Sequence, residues 1–328
     1  MIATALLLIL GLVLLLIGGE LLVRGASRLA EEVGISPMLV GLVVVGLGTS
    51  TPELAASVQA SLAGSPGIAV GNIVGSNLAN ILLILGSAAL ISPIFVHKTV
   101  LWRDGMIGLA GAALMLLVGN SLGLDRLVGA GFLLILIAYL AFAYRQERQG
   151  QETLAATMRT AAVEHTDPGI HAHARADHKG IMKAIAFFVV GIGVIVAGGT
   201  LLVDAAIEIA ERLGVSDEVI GLTIVAAGTS MPELATTVIA AIRKESDIAL
   251  GNVLGSNIFN IFFIGGVTGL VAPGPIPEAI MARDLWLLVA ASAVAIVFAW
   301  SGGRIGRREG GLLIAAYVAF LAMTAMNA

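Results

Sequence analysis

Long apolar runs, separated by short polar breaks, make up most of the chain. An apolar stretch of about 20 residues crosses a bilayer as a helix. Ten such stretches are read here, roughly 2–23, 37–62, 68–91, 102–119, 126–144, 180–203, 217–242, 248–271, 284–301 and 309–327. Runs such as LLLILGLVLLLIGG are continuously apolar, whereas the strands of a membrane barrel alternate, so helices are expected throughout. Hydrocarbon satisfies no backbone polar group, which leaves the helix as the form for each span. The first run lacks a basic leader, and no small-residue cleavage site clearly follows it, so it reads as a retained helix and not as a signal peptide.

Composition strengthens this reading. Hydrophobic residues are 58% of the 328 and charged residues 12%, with a mean hydropathy of +1.00. A typical soluble domain is about 25% charged, and no soluble interior could hold so much apolar surface. A soluble enzyme is therefore excluded. So are a disordered chain and, with no cysteine, a disulfide-stapled domain. The net charge of −4 offers no basic stripe for nucleic acid. Cytoplasmic loops are enriched in Lys and Arg. With the N-terminus outside, odd-numbered connections carry 15 of the 18 basic residues and even-numbered ones carry 3, Arg126, Arg212 and Arg283. Both termini are then expected outside, and the central connection inside.

One connection is long and polar, residues 145–179. It divides the chain into 1–144 and 180–328, each with five spans. The halves resemble each other at a constant offset of 180. GGELLVRGASRLAEEVGISPMLVGLVVVGLGTSTPELAASV from Gly18 matches GGTLLVDAAIEIAERLGVSDEVIGLTIVAAGTSMPELATTV from Gly198, and GNIVGSNLANI from Gly71 matches GNVLGSNIFNI from Gly251. Residues 18–86 and 198–266 share 33 identities in 69 ungapped pairs. Five is odd, so the second copy should sit upside down in the membrane. Inverted repeats of this kind build many secondary transporters, with the substrate site at the midplane where helices are interrupted.

The interruption is visible in the sequence. GTSTPE runs from Gly48 to Glu53 and GTSMPE from Gly228 to Glu233. A carboxylate within a bilayer costs about 2.5–3.5 kcal/mol on insertion scales and marks a functional site by default. Glu53 and Glu233 are read as the only acids deep within spans, with no Lys or Arg at comparable depth. Two buried negative charges without a fixed counter-charge describe a cation site. Pro52 and Pro232 have no N–H, so the carbonyls of Gly48 and Gly228 lose their helical donors. Thr49 and Ser50 lie four and three residues before Glu53 on one helical face, and Thr229 and Ser230 repeat this. Ser76 and Asn80, and likewise Ser256 and Asn260, are four apart on the following spans. All of these are hard oxygen donors. Zinc, copper or iron would favour His or Cys, so the pattern points to Ca²⁺, Na⁺ or K⁺ without ranking them.

At these residues the chain resembles the cation/calcium exchanger superfamily, in its sodium/calcium exchanger branch of prokaryotic type. GTSTPEL and GTSMPEL, each followed by GN-x-x-GSN-x-x-N, are similar to that family's paired repeats. The resemblance implies an all-α membrane protein of ten transmembrane helices, in two inverted five-helix repeats. It implies antiport of Na⁺ against Ca²⁺ by alternating access, typically three to one, with the first and sixth spans moving against the rest. It assigns Glu53 and Glu233 as shared ligands of both ions, with Thr49 and Thr229 often acting through their carbonyls. Ser50, Ser230, Ser76 and Ser256 would flank them as Na⁺ ligands. The carbonyls of Gly46 and Ala226 also take part, and Asn80 and Asn260 stand at the centre. Potassium-dependent relatives use Asp in the second repeat. Asn at both positions here implies K⁺ independence. Proton-coupled relatives usually replace GTS-x-PE with another motif, which favours Na⁺ over the alternative of Ca²⁺/H⁺ antiport on the same fold.

Other features read as structural. Asn72, Asn77, Asn252 and Asn257 are expected to brace the broken backbone. His165, His171, His173 and His178 belong to a polar linker. Glu20, Arg24, Asp204 and Glu208 are expected at interfaces with water. A hydrolase would need a nucleophile with its base, or paired aspartates, and neither is present in a span. No enzyme activity and no resident cofactor are expected; the ions are substrates. The expected setting is the cell (inner) membrane, with no nucleic acid partner and no obligate oligomer.

Overall fold

The computed structural model describes residues 2–121, 123–164, 178–212 and 226–326. They form α1 (Ile2–Val33), α2 (Pro37–Thr49), α3 (Thr51–Leu62), α4 (Pro66–Ile91), α5 (Lys98–Gly119), α6 (Arg126–Glu164), α7 (His178–Arg212), α8 (Ala226–Thr229), α9 (Met231–Ile242), α10 (Ser246–Val271), α11 (Ile280–Gly302) and α12 (Arg307–Met326). Among these residues seven helices are long and apolar enough to cross a membrane, and an eighth if α2 and α3, bent by 42°, count as one span. The counterpart of that broken span is only partly covered, because 213–225 lie outside the described residues. The last helix opens on Arg307, Arg308 and Glu309.

Two helices run further than expected. α1 continues ten residues beyond its apolar core and stops at Gly34, whose φ of +71° suits a helix C-terminus. α6 continues to Glu164. The first part of the expected linker is thus helix, built from Gln, Glu, Arg and Ala, which are good helix formers. Its extension is anchored at Glu147, which accepts from the Ser36 backbone N–H at 2.9 Å. Residues 165–177, with three of the four linker histidines, lie outside the described residues.

Burial sorts the helices into a centre and a periphery. The most apolar windows of α4 and α10 are 72% and 78% buried, against 28–44% for α1, α5, α6, α7 and α11. In α1 the exposed face carries Leu6, Ile9, Leu10, Val13, Leu16 and Ile17, while Leu15, Leu22, Ala26 and Ala30 face inward at helical spacing. α1 lies antiparallel along α7. A Cβ on Gly18 would stand 2.7 Å from the Ile195 nitrogen, and one on Gly25 2.6 Å from that of Phe188. Glycine alone permits this approach, the usual device of helix pairs in lipid. Around the centre, α6 packs on α10, with Phe132 edge-on to Phe262 at 5.6 Å. α12 packs on α4 in the corresponding way, Gly310 against Gly86.

Two short ties join the halves. β1 (Ile94–Phe95) pairs antiparallel with β2 (Arg304–Ile305). Leu124 makes a lone antiparallel bridge to Gly274. Gly274 is the offset counterpart of Ile94, and Arg304 that of Leu124, so the two ties fall within one residue of the same register.

Candidate functional site

Both breaks fall one residue after the motif threonine. Ser50 (φ −81°, ψ 6°) separates α2 from α3, and Ser230 (φ −89°, ψ 9°) separates α8 from α9. Pro52 and Pro232 sit second in the segments that begin at Thr51 and Met231, within the first turn, where a missing N–H is harmless. Glu53 and Glu233 therefore stand in the first turn of a helix, where the dipole favours negative charge. Both are buried to within 1% of complete.

The two motifs reach across to each other. The Ser230 hydroxyl donates to Glu53 Oε1 at 3.3 Å, and the Ser50 hydroxyl donates to Glu233 Oε1 at 3.2 Å. Each carboxylate is thus held by the repeat to which it does not belong. Oε2 of each glutamate is buried with no hydrogen-bond partner among the described residues. Neither glutamate has an ion-pair partner among them. Burying a charge unpaired is expensive, and these two oxygens are left without a partner among the described residues.

α4 and α10 supply the remaining walls. Each contains a π-helical turn, Ala79–Ile84 and Phe259–Ile264, related by the offset of 180. Such turns collect at functional sites because the extra residue re-aims the side chains beside it. Asn80 and Asn260 sit in these turns, fully buried. Asn80 Nδ2 donates to Asn257 Oδ1 at 3.1 Å, while Asn80 Oδ1, Asn260 Oδ1 and the Ser76 hydroxyl have no partner among the described residues. The Thr49 hydroxyl lies 3.1 Å from Asn252 Oδ1, 3.4 Å from Ser256 Oγ and 3.3 Å from the Gly46 carbonyl. That carbonyl also accepts from the Ser50 N–H at 3.1 Å; the single Thr49 proton serves either it or the nearer Asn252 Oδ1. The Thr229 hydroxyl is 3.5 Å from Asn72 Oδ1. Ala226 begins α8. The structure thus draws Thr49, Ser50, Ser256, Asn252 and Glu233 into one hydrogen-bonded cluster, and Glu53, Ser230, Thr229 and Asn72 into another.

Asn72 and Asn252 brace the backbone as expected, donating to the carbonyls of Glu53 at 3.1 Å and Glu233 at 3.2 Å. The peripheral charges also behave as surface groups: Glu20 pairs with Arg24 and Arg243, and Glu208 with Arg212. A third acid is buried within the protein besides Glu53 and Glu233: Asp104 is 0% exposed. Arg103 donates to both of its oxygens at 2.6 and 2.9 Å, and the Tyr139 hydroxyl to one at 2.7 Å. The Arg103 side chain is itself 7% exposed. This acid is neutralised in place and has no need of a cation. A signal for it was present: the Arg103–Asp104 pair recurs at Arg283–Asp284, again at 180, and there too the two side chains bond at 2.6 Å.

Comparison with known proteins agrees with this architecture. The family profile described as sodium/calcium exchanger protein matches residues 3–145 and 183–326. The sodium/calcium exchanger MaX1 of Methanosarcina acetivorans is 37% identical, over 96% of this chain and 97% of its own. The inner membrane protein YrbG of Escherichia coli is 36% identical, over 98% and 97%. Among solved structures, the sodium-calcium exchanger NCX_Mj soaked with 10 mM Na⁺ and zero Ca²⁺ superposes with a TM-score of 0.82 at 31% identity, over 98% of each chain.

Proposed function

This chain belongs to the sodium/calcium exchanger family, and from that membership we propose that it exchanges Na⁺ for Ca²⁺ across the membrane by alternating access. The observation that carries the proposal is the pair of buried glutamates, each with one oxygen held by the opposite repeat and one unengaged. Two carboxylates neutralise one Ca²⁺. Calcium takes about six to eight oxygens in flexible geometry. Among the described residues, four oxygens assigned to the centre are unpartnered: one from each glutamate, and those of Asn80 and Asn260. The backbone carbonyls of Thr49, Thr229, Gly46 and Ala226 would complete the shell, with Gly46 joining as the Thr49 hydroxyl turns away. Ser50, Ser230, Ser76 and Ser256 would serve flanking Na⁺ sites. No His or Cys is among these donors, which disfavours softer metals.

Exchange at three Na⁺ per Ca²⁺ would move net charge. Independence from K⁺ is supported by Asn at both 80 and 260. The proposed topology has ten spans, both termini outside and the 145–179 connection in the cytoplasm, supported by the 15-to-3 split of basic residues. Placement in the inner membrane is supported by the likeness to YrbG. The test is calcium uptake into Na⁺-loaded proteoliposomes diluted into Na⁺-free medium with the membrane potential clamped. Uptake should require the Na⁺ gradient, persist without K⁺ and ignore a pH gradient. Uptake driven by pH alone would replace Na⁺ with H⁺ as the coupling ion.

A further inference from the structure

We propose that Asn72 and Asn252 are reciprocal positioning residues, each clamping the glutamate of its own repeat to the motif threonine of the other. The inference rests on the exchange reading above and assigns these side chains a role in coupling the two halves of the ion site.

The geometry is a closed circuit, present twice. Asn72 Nδ2 donates to the Glu53 carbonyl at 3.1 Å and to the Ser57 hydroxyl at 2.9 Å. Its Oδ1 faces the Thr229 hydroxyl at 3.5 Å. The next residue, Ser230, donates to Glu53 Oε1 at 3.3 Å and closes the ring. In the second circuit Asn252 Nδ2 donates to the Glu233 carbonyl at 3.2 Å and to the Thr237 hydroxyl at 2.8 Å. Its Oδ1 accepts from Thr49 at 3.1 Å, and Ser50 returns to Glu233 Oε1 at 3.2 Å. Every member of one ring is the 180-offset counterpart of a member of the other.

An asparagine amide has two N–H donors and one carbonyl acceptor. Here both hydrogens go to the protein, and Oδ1 faces a threonine hydroxyl. These asparagines therefore hold ligands in place. Each fixes the backbone of a glutamate on one side and the broken helix of the opposite repeat on the other. A cation that draws Glu53 away from Ser230 loosens a ring whose remaining links run through Thr229 and Asn72. The same displacement at Glu233 acts on Ser50, Thr49 and Asn252. Occupancy at one carboxylate thus reaches the helix break of the other repeat through named contacts.

The prediction is a pattern of pairwise coupling. Equilibrium Ca²⁺ affinity is measured on purified full-length protein for Asn72→Ala, Asn252→Ala, Thr229→Val, Thr49→Val and the four doubles. The cross-repeat pairs 72 with 229 and 252 with 49 should be non-additive by more than about fivefold. The pairs 72 with 49 and 252 with 229 should be additive within about twofold. A residue that merely supported the fold would weaken binding without choosing between threonines. Equal coupling in all four cycles, or additivity in the cross-repeat pairs, overturns the assignment. Should an alanine variant aggregate, Asn72→Ser and Asn252→Ser, which retain a group able to donate and accept, carry the same cycles. Wild-type protein that binds no calcium would sink the exchange reading and this inference together; wild-type binding with equal coupling would sink this inference alone.

Discussion

The substitution Glu53→Gln removes one charge and almost no volume. The introduced amide keeps a carbonyl oxygen for the Ser230 hydroxyl, so the 3.3 Å contact across the repeats can survive. What is lost is the second carboxylate oxygen, buried and unpartnered in the native protein, whose place is taken by an NH₂ that cannot ligate a cation. Removing one member of a buried charge pair costs about 3–5 kcal/mol. At about 1.4 kcal/mol per decade, calcium affinity should fall by roughly two to four orders of magnitude. The ion-free protein should respond in the opposite sense. It buries two carboxylates with no basic partner among the described residues, each at a cost of about 2.5–3.5 kcal/mol on insertion scales. In chelator without Na⁺ the variant should therefore unfold at a temperature equal to or above that of the wild type. Calorimetric Ca²⁺ titration and thermal unfolding of the same purified sample read both effects. A variant that folds and binds calcium within threefold of the wild type would refute the ligand role. Lost binding with a large fall in ion-free stability would instead make Glu53 a structural carboxyl.

Other consequences follow from the same contacts. Ser50→Ala and Ser230→Ala each remove one hydrogen bond to a carboxylate in the ion-free protein, worth about 1.5–3 kcal/mol; both should lower the ion-free thermal midpoint, and by similar amounts. Gly25→Val places a side chain where a Cβ already meets the Phe188 nitrogen at 2.6 Å, so it should lower the thermal midpoint, in line with about 1–3 kcal/mol of overpacking. Asp104→Ala leaves Arg103 buried without its partner and should cost about 3–5 kcal/mol, seen as loss of monodisperse protein in size-exclusion chromatography. Tyr139→Phe removes a single bond to Asp104 and should lower the midpoint only modestly, about 1 kcal/mol or slightly more.

The repeat, the helical class and the motif residues were legible because they rest on local chemistry. Continuous apolar runs leave only helices, and duplication at a fixed offset makes Glu53 and Glu233 stand out. The helix breaks were readable from Pro52 and Pro232. Helix lengths were less so. Hydropathy marks where an apolar run ends, and the helices α1 and α6 continue past that point on good helix formers. The ties between Ile94 and Ile305 and between Leu124 and Gly274 depend on contacts far apart in sequence. The crossing of Ser50 to Glu233 and Ser230 to Glu53 was hidden for the same reason. Nothing within GTSTPE says that its serine serves the other repeat. Asp104 was overlooked because it sits near the end of an apolar run, where an acid ordinarily faces water; Arg103 and Tyr139 make its burial tolerable.

The central claim is that Na⁺ and Ca²⁺ contend for one site built on Glu53 and Glu233. Equilibrium binding of radioactive calcium to the purified protein, titrated with Na⁺ at constant ionic strength, tests it most directly. The account predicts that Na⁺ displaces calcium completely, with a slope steeper than one ion for one, while an equal concentration of choline does not. Calcium binding that is indifferent to Na⁺ would contradict it.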